Sequence, residues 1–195
     1  MNKKLLDLDP LRRDSILNAA LKEFVKKGYD NASTNVIAKE AGISKALMFH
    51  YITNKQELYS CINNYFTTLL DKEYFMKMDF TDTDIFNRLR QSYLLQIDLL
   101  KHYPWIFEFS SLSDNKQLSC HNRILDMIDI SKFRAGLNIE MCKQFILWSN
   151  IGFTNEILDD IKNPETSDPD YNRIVLTIDQ YLDELRKIFY TSSYE

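Results

Sequence analysis

A short stretch beginning at residue 45 combines a positive charge with apolar and aromatic side chains, in an order suited to contact with another molecule. If this stretch is helical, Met48, Tyr51 and Ile52 turn inward and a mixed face is left outward. The outward residues are Lys45, Ala46, Leu47, Phe49 and His50. A lysine at the start of a helix can meet a phosphate, and apolar side chains can contact thymine methyl groups, so the pattern favours binding to DNA.

Two short helices joined by a glycine turn would position this outward face. In the first helix the Thr34 methyl and three apolar residues repeat at helical spacing; the three are Ile37, Ala38 and Ala41. Ser33 and Ser44 are the expected N-caps of the two helices, and Gly42 supplies the left-handed residue that the turn between them needs. The arrangement is typical of a helix-turn-helix. The alternative, a helix pair that only braces a bundle, gives the outward face no purpose.

Composition favours an all-α fold of about nine helices. The 195 residues include only four glycines and four prolines, and most of these stand where helix ends are expected. No segment has the length and apolar character of a signal peptide or a membrane helix, so we expect a cytoplasmic protein without a membrane partner. The three dispersed cysteines favour buried thiols over a disulfide framework or a zinc site, and we predict no metal or cofactor.

The periodicity also predicts where the helices begin and end. Helix 1 should run from Pro10 to Gly28, and helix 4 from Lys55 to about Met78. A loop over residues 110–115 should precede a helix that ends near Met127, and residues 129–138 should be irregular. Two long helices, over about residues 139–161 and 170–190, should close the chain on either side of a break at residues 163–169.

Charge is divided unevenly along the chain. Residues 1–60 have a net charge of +3, whereas residues 61–195 have a net charge of −7, which gives −4 for the whole chain. A basic first part suits a protein that contacts phosphate at one end only, although solvated charged faces would give the same difference.

The stretch described first resembles the DNA-binding signature of the tetracycline-repressor (TetR) family. The resemblance rests on two runs at fixed spacing, Ile37-Ala38-x-x-Ala41-Gly42-Ile43-Ser44-Lys45 and Phe49-His50-Tyr51-Ile52-x-Asn54-Lys55-x-x-Leu58, and its specific part covers roughly the first third of the chain. It implies a helix-turn-helix DNA-binding domain in residues 1–54 and a helical effector-binding and dimerisation domain in residues 55–195. The predicted DNA-binding residues are Thr34, Ser44, Lys45, Ala46, Leu47, Phe49, His50, Tyr51 and Lys55.

The DNA-binding residues divide by expected role. Phosphate contacts are expected from Lys45, Lys55 and Thr34 and from His50 or Tyr51, and base contacts from Ala46, Leu47 and Phe49. The family's commonest pattern has Gly-Thr in place of Ala46-Leu47 and Tyr in place of Phe49. Two hydroxyls are thereby replaced by apolar surface, which suits an operator with thymines at the centre of each half-site.

The resemblance also implies a dimer and an internal cavity for a small effector. In the family the last two helices of each subunit form a four-helix interface, here with Phe145, Ser149, Phe153, Ile178, Tyr181 and Leu185. The candidate cavity residues are Phe66, Tyr93, Trp105, Phe109, His121 and Trp148, with His102 as a further polar contact. Ordinary packing within one chain would use the same residue types.

We therefore interpret the chain as a TetR-like repressor that binds a palindromic operator as a homodimer and is released by a small-molecule effector. A DNA-associated protein whose helical body binds a protein partner is the alternative. An enzyme is disfavoured because the sequence has no glycine-rich phosphate loop, nucleophile elbow or metal-spaced set of ligands. Repression and activation differ by where the operator lies relative to the promoter.

Overall fold

A computed structural model describes residues 3–112, 123–163 and 168–191. Within these ranges nine α-helices have defined bounds and there is no β-strand, which confirms the all-α prediction. The helices are α1 Lys3–Leu6, α2 Pro10–Asn31, α3 Thr34–Glu40, α4 Lys45–Tyr51, α5 Lys55–Leu70, α6 Ile85–Leu100, α7 Ile106–Leu112, α8 Ile139–Lys162 and α9 Tyr171–Phe189. Among the described residues, none of these helices combines the length and the apolar character needed to cross a membrane.

The predicted helix 1 is α2 of the structure. It was expected to end at Gly28, but it only bends there and continues to Asn31. Gly28 has φ 69° and ψ 168°, a conformation that only glycine adopts readily. One further turn follows it, and the amide of Ala32 donates to the Gly28 carbonyl at 3.1 Å. At the other end Asp9 caps the helix by accepting from the amide of Arg12 at 3.1 Å.

Two other predicted boundaries were wrong, and the last two helices were placed nearly correctly. Helix α5 ends at Leu70 and is followed by a π-helix, Asp71–Phe75, so the predicted α-helix to Met78 is too long. Helix α7 continues to Leu112, where a loop was expected. A short 3-10 helix, Ile130–Lys132, interrupts the predicted irregular stretch. The helix expected before Met127 lies mainly outside the described residues.

The chain divides into two compact units. The head unit comprises Met1–Glu73 and Leu99–Gln117, and the body unit comprises Tyr74–Asp98 and Leu118–Glu195. Helices α5 and α7 thus belong with the helix-turn-helix in one compact unit, whereas the predicted division after residue 54 is a division by function and stays a prediction.

The head unit is built around α2. An aromatic cluster fills its centre, with the Phe24 ring 5.0 Å from Tyr59 and 6.2 Å from Phe109 between centroids. Polar contacts join α2 to the segment before α7: the Asn18 amide donates to the His102 carbonyl at 2.9 Å. Burial, with hydrogen bonds to Tyr65 and Asp14, raises the pKa of the Tyr103 hydroxyl, which donates to Asp14 at 2.9 Å.

The body unit contains a buried arginine that binds backbone carbonyls. Arg88 on α6 is 1% exposed, and its guanidinium donates to four carbonyl oxygens on two separate segments. Those of Phe80 and Ile124 lie at 2.8 and 3.1 Å, and those of Asp82 and Asp126 are also bound. These bonds satisfy the buried guanidinium without a carboxylate and tie residues 80–82 to residues 124–126.

A buried carboxylate lies at the start of α6. Asp84 accepts from the amides of Phe86 and Asn87 and from the Lys132 ammonium at 2.9 Å. Burial alone would raise the pKa of Asp84, but the bonds from Lys132 and Asn87 hold it below its usual range. The carboxylate therefore stays charged, which suits the positive end of the α6 dipole.

Candidate DNA-binding site

Helices α3 and α4 meet at the predicted glycine turn. Gly42 has φ 70°, in the left-handed region, and the amide of Ile43 donates back to the Ala38 carbonyl at 2.9 Å. Ser44 caps α4 as predicted by accepting from the amide of Leu47 at 3.1 Å. Ser33 makes no side-chain cap for α3, so that prediction was wrong. Its backbone amide instead donates to the buried Glu23 carboxylate at 3.0 Å.

Helix α4 has the inward and outward faces that the sequence predicted. Met48, Tyr51 and Ile52 are buried. Leu47 is half-buried, and the remaining residues of the outward face are exposed, with Phe49 at 42%. We call Lys45, Ala46, Leu47, Phe49 and His50 the reading face. It carries one ammonium, and the Lys45 nitrogen lies 6.0 Å from the centre of the Phe49 ring.

The other predicted DNA-binding residues differ in how accessible they are. Thr34 is half-buried at the start of α3, and Ser44 is exposed beside the reading face. Tyr51 is buried, with its ring 5.6 Å from His50. Lys55, in the first turn of α5, donates to the carbonyls of Asp30 at 2.8 Å and Ala32 at 3.2 Å.

Sequence reasoning missed two contacts that join α2 to α3 and to α5. Lys22 on α2 forms an ion pair with Glu40 at the end of α3. Tyr29, after the bend at Gly28, donates from its hydroxyl to Gln56 of α5 at 2.6 Å. Each residue type is common on solvated surfaces, so periodicity gave no signal for these pairs.

The predicted cavity residues are divided between the two units. Phe66 and Phe109 are buried together in the head unit, with ring centroids 6.4 Å apart. Trp105 is half-buried there, with the Lys26 ammonium 5.1 Å from its ring centre, and His102 is exposed. His121 lies outside the described residues.

Of the two described cavity residues in the body unit, only one is buried. The Tyr93 hydroxyl donates to the Asn150 side-chain oxygen at 2.7 Å. Burial raises the pKa of Tyr93, so this hydroxyl stays protonated. Trp148, on α8, is 57% exposed, and its place in a cavity stays a prediction.

The predicted interface residues are also of two kinds. Ile178 and Leu185 are buried in the body core of the single chain, and their assignment to an interface stays a prediction. Phe145 and Ser149 are exposed on α8. Phe153 and Tyr181 are half-buried and stack on each other at 3.9 Å, and Tyr181 donates to Ser149 at 3.0 Å.

Helix α3, the turn at Gly42 and the capped, outward-facing α4 form a helix-turn-helix, an arrangement that many DNA-binding proteins share. Residues 16–61 match the family model for bacterial regulatory proteins of the tetR family. Over these residues the chain is similar to regulators of the TetR family.

Curated relatives match over the amino-terminal part. The regulator BetI of Agrobacterium fabrum is 42% identical over 53 residues, covering 27% of this chain and 26% of BetI. The negative regulator of the biofilm operon icaADBC in Staphylococcus epidermidis is 33% identical over 60 residues, covering 30% and 32%. The activator FasR of Mycolicibacterium smegmatis is 33% identical over 101 residues, covering 50% and 46%. The chain thus matches less than half the length of each relative.

Solved structures are similar over nearly the whole chain. A TetR family regulator from Chloroflexus aurantiacus has a TM-score of 0.60 at 17% identity, covering 97% of this chain and 98% of that one. The ketosteroid regulator KstR2 of Mycobacterium tuberculosis has a TM-score of 0.60 at 18% identity, covering 95% and 97%. At these identities the similarity shows the fold.

The reading face predicts different effects for its charged and its aromatic residue. Lys45→Ala should weaken binding to every duplex alike and flatten its salt dependence, because a phosphate contact carries no sequence information. Phe49→Ala should relax sequence preference at a cost of about 1–3 kcal/mol, because a base contact is lost. Fluorescence anisotropy with a selected and a mixed-sequence duplex, at several salt concentrations, measures both. Equal loss of specificity in the two variants would contradict this division.

Proposed function

We propose that the chain binds a palindromic DNA operator as a homodimer in the cytoplasm and represses transcription until a small molecule releases it. The observation that carries this proposal is the reading face, which presents a lysine and an aromatic ring to solvent on a helix capped and packed from behind. Lys45, Thr34 and His50 contact phosphate, and Ala46, Leu47 and Phe49 contact base edges. Ser44 and Tyr51 hold the helix in place beneath them.

The apolar reading face predicts thymines at the centre of each operator half-site. Ala46, Leu47 and Phe49 offer methyl and ring carbons in place of hydrogen-bonding groups, and the thymine methyl is their natural partner in the major groove. Selection from a random duplex pool with the full chain should recover a palindrome with this feature. Recovery of half-sites with only G·C pairs at their centre would contradict the prediction. The absence of any enriched duplex would contradict the proposed function.

Helix α8 supports the dimer. Met141, Phe145, Trp148 and Ile151 are all large apolar residues, and each is more than 40% exposed along this helix. Such a surface favours burial against a partner. A second copy is the partner we propose, because one short recognition helix reads too few base pairs and a twofold dimer places two on one side of a palindrome.

Phe145 and Trp148 should be the main contributors to association. Replacing either by glutamate should cost about 2 kcal/mol or more of association free energy, because an aromatic anchor is lost and a charge is buried. Sedimentation equilibrium measures the dissociation constant. Met76→Glu is a matched control, since Met76 is also a largely exposed apolar residue of the body unit but is not on α8. A wild-type chain that stays monomeric at micromolar concentration would contradict the dimer.

The proposed effector must bind the DNA-free geometry more tightly, since a ligand with equal affinity for both states shifts nothing. Phe66, Phe109 and Trp105 in the head unit favour an apolar or planar compound. The remaining predicted lining residues stay predictions.

The fluorescence of Trp105 gives a direct measure of effector binding. Titration with a library of apolar and planar compounds should change its fluorescence and weaken operator binding with the same midpoint. Trp148→Phe should keep the signal and Trp105→Phe should lose it. If no compound acts and operator DNA is released only by another protein, the alternative of a protein-binding body is supported instead.

A further inference from the structure

Nothing in the described part of the chain requires glycine at position 152. The residue lies in the middle of α8, where glycine is less favourable to a helix than alanine. Its φ is not in the left-handed region. A Cβ added there would meet no heavy atom of the described residues within 4 Å, so no neighbour in the same chain excludes a side chain. A reason for this glycine must therefore come from outside the single chain.

Gly152 belongs to a row of exposed residues on the outward side of α8. The row advances by four and three residues in turn, which keeps its members on one face of a helix. The residues that α8 buries in the body core lie on the opposite face. The outward row is Met141, Phe145, Trp148, Gly152 and Asn155, and the buried residues are Cys142, Ile146, Asn150, Ile157 and Ile161.

The outward row changes from large to small side chains along the helix. Phe145 and Trp148 are 51% and 57% exposed, and their rings meet edge-on with centroids 5.7 Å apart. Gly152 and Asn155 occupy the next two positions of the row. The first part of the row is thus a ridge and the second part a depression beside it. Such a surface can fit a copy of itself that runs in the opposite direction.

We propose that α8 packs antiparallel on α8 of a second copy, with the twofold axis beside residue 150. In a contact of this symmetry, residue i of one copy meets residue j of the other, and j meets i. Trp148 then meets the partner's Gly152, and Phe145 meets the partner's Asn155, because both pairs are centred on residue 150. Each indole lies over a backbone that a Cβ would keep it from reaching. The inference rests on the homodimer of the proposed function and adds its register.

Charge and shape both favour this register. Residues 141–155 all lie in the described part of the chain, and none of the exposed ones is charged, so an antiparallel partner opposes no like charges there. The next position of the row, the exposed Asp159, falls opposite the partner's Met141 at the rim, where a carboxylate keeps its water. A parallel pairing would instead place the two Trp148 rings together and leave a gap between the two Gly152 residues.

Gly152→Ala distinguishes a glycine that serves the helix pair from one that serves neither state. In the Trp148→Glu background, which we expect to be monomeric, it should raise the melting temperature by about 2–4 °C, because alanine is the better helix former. With Trp148 present, it should raise the dissociation constant of the dimer by about tenfold, because the added methyl groups displace the indoles. Thermal unfolding followed by circular dichroism and sedimentation equilibrium measure the two effects. Association that is unchanged or tighter would overturn the proposal, as would a lower melting temperature.

An exchange of side-chain size between the two positions tests the register. Gly152→Leu should weaken association by about a hundredfold. Trp148→Ala should weaken association of the wild-type chain, yet strengthen it by about tenfold in the Gly152→Leu background, because the leucine fills the space that the indole leaves. Gln144→Leu is a matched control, since Gln144 is exposed on α8 outside the outward row, and it should not weaken association. Additive losses in the double variant would overturn the register.

The failure of this inference differs from the failure of the proposed function. A wild-type dimer that shows both effects but enriches no duplex from a random pool would keep the register and refute operator binding. A dimer that binds a selected duplex and tolerates Gly152→Leu would refute the register and leave operator binding in place.

Discussion

The reading face depends on how two very short helices are kept folded. Helices α3 and α4 have seven residues each, too few to be stable alone in water. Most of their backbone amides and carbonyls lie in terminal turns and need partners outside the helix. The left-handed Gly42, the Ser44 cap and the burial of Ile37 and Met48 provide that support. The outward side chains of α3 and α4 are therefore not needed to stabilise these helices and can serve binding.

Support for the helix-turn-helix extends well beyond the residues that resemble the TetR signature. Asp14 and Asn18 on α2 bind Tyr103 and the His102 carbonyl, which come 89 and 84 residues later in the chain. The buried Phe109 packs on Phe24 in the same unit. The head unit is thus assembled from two segments that are distant in sequence, and α2, which lies in the first segment, contacts the second.

Sequence periodicity predicted which side of each helix is apolar, and local turn chemistry predicted Gly42 and the cap at Ser44. Neither tells what covers an apolar face. Ile178 and Phe145 were assigned to the same interface, yet one is buried within the chain and the other is half exposed. The partners of Lys55 could not be predicted from the sequence either, since a lysine in a first turn looks the same whether it faces phosphate or a neighbouring carbonyl. Such pairings follow from tertiary packing, which a single helix pattern does not encode.

The contacts of Arg88 affect the order in which the two units fold during synthesis. Its guanidinium loses its hydration only when it can exchange water for carbonyls, and two of these belong to Ile124 and Asp126, more than thirty residues downstream. While those residues are still inside the ribosome, burying α6 would leave a cation without half of its acceptors. The body therefore has reason to close late in translation, whereas most of the head unit's residues have already emerged.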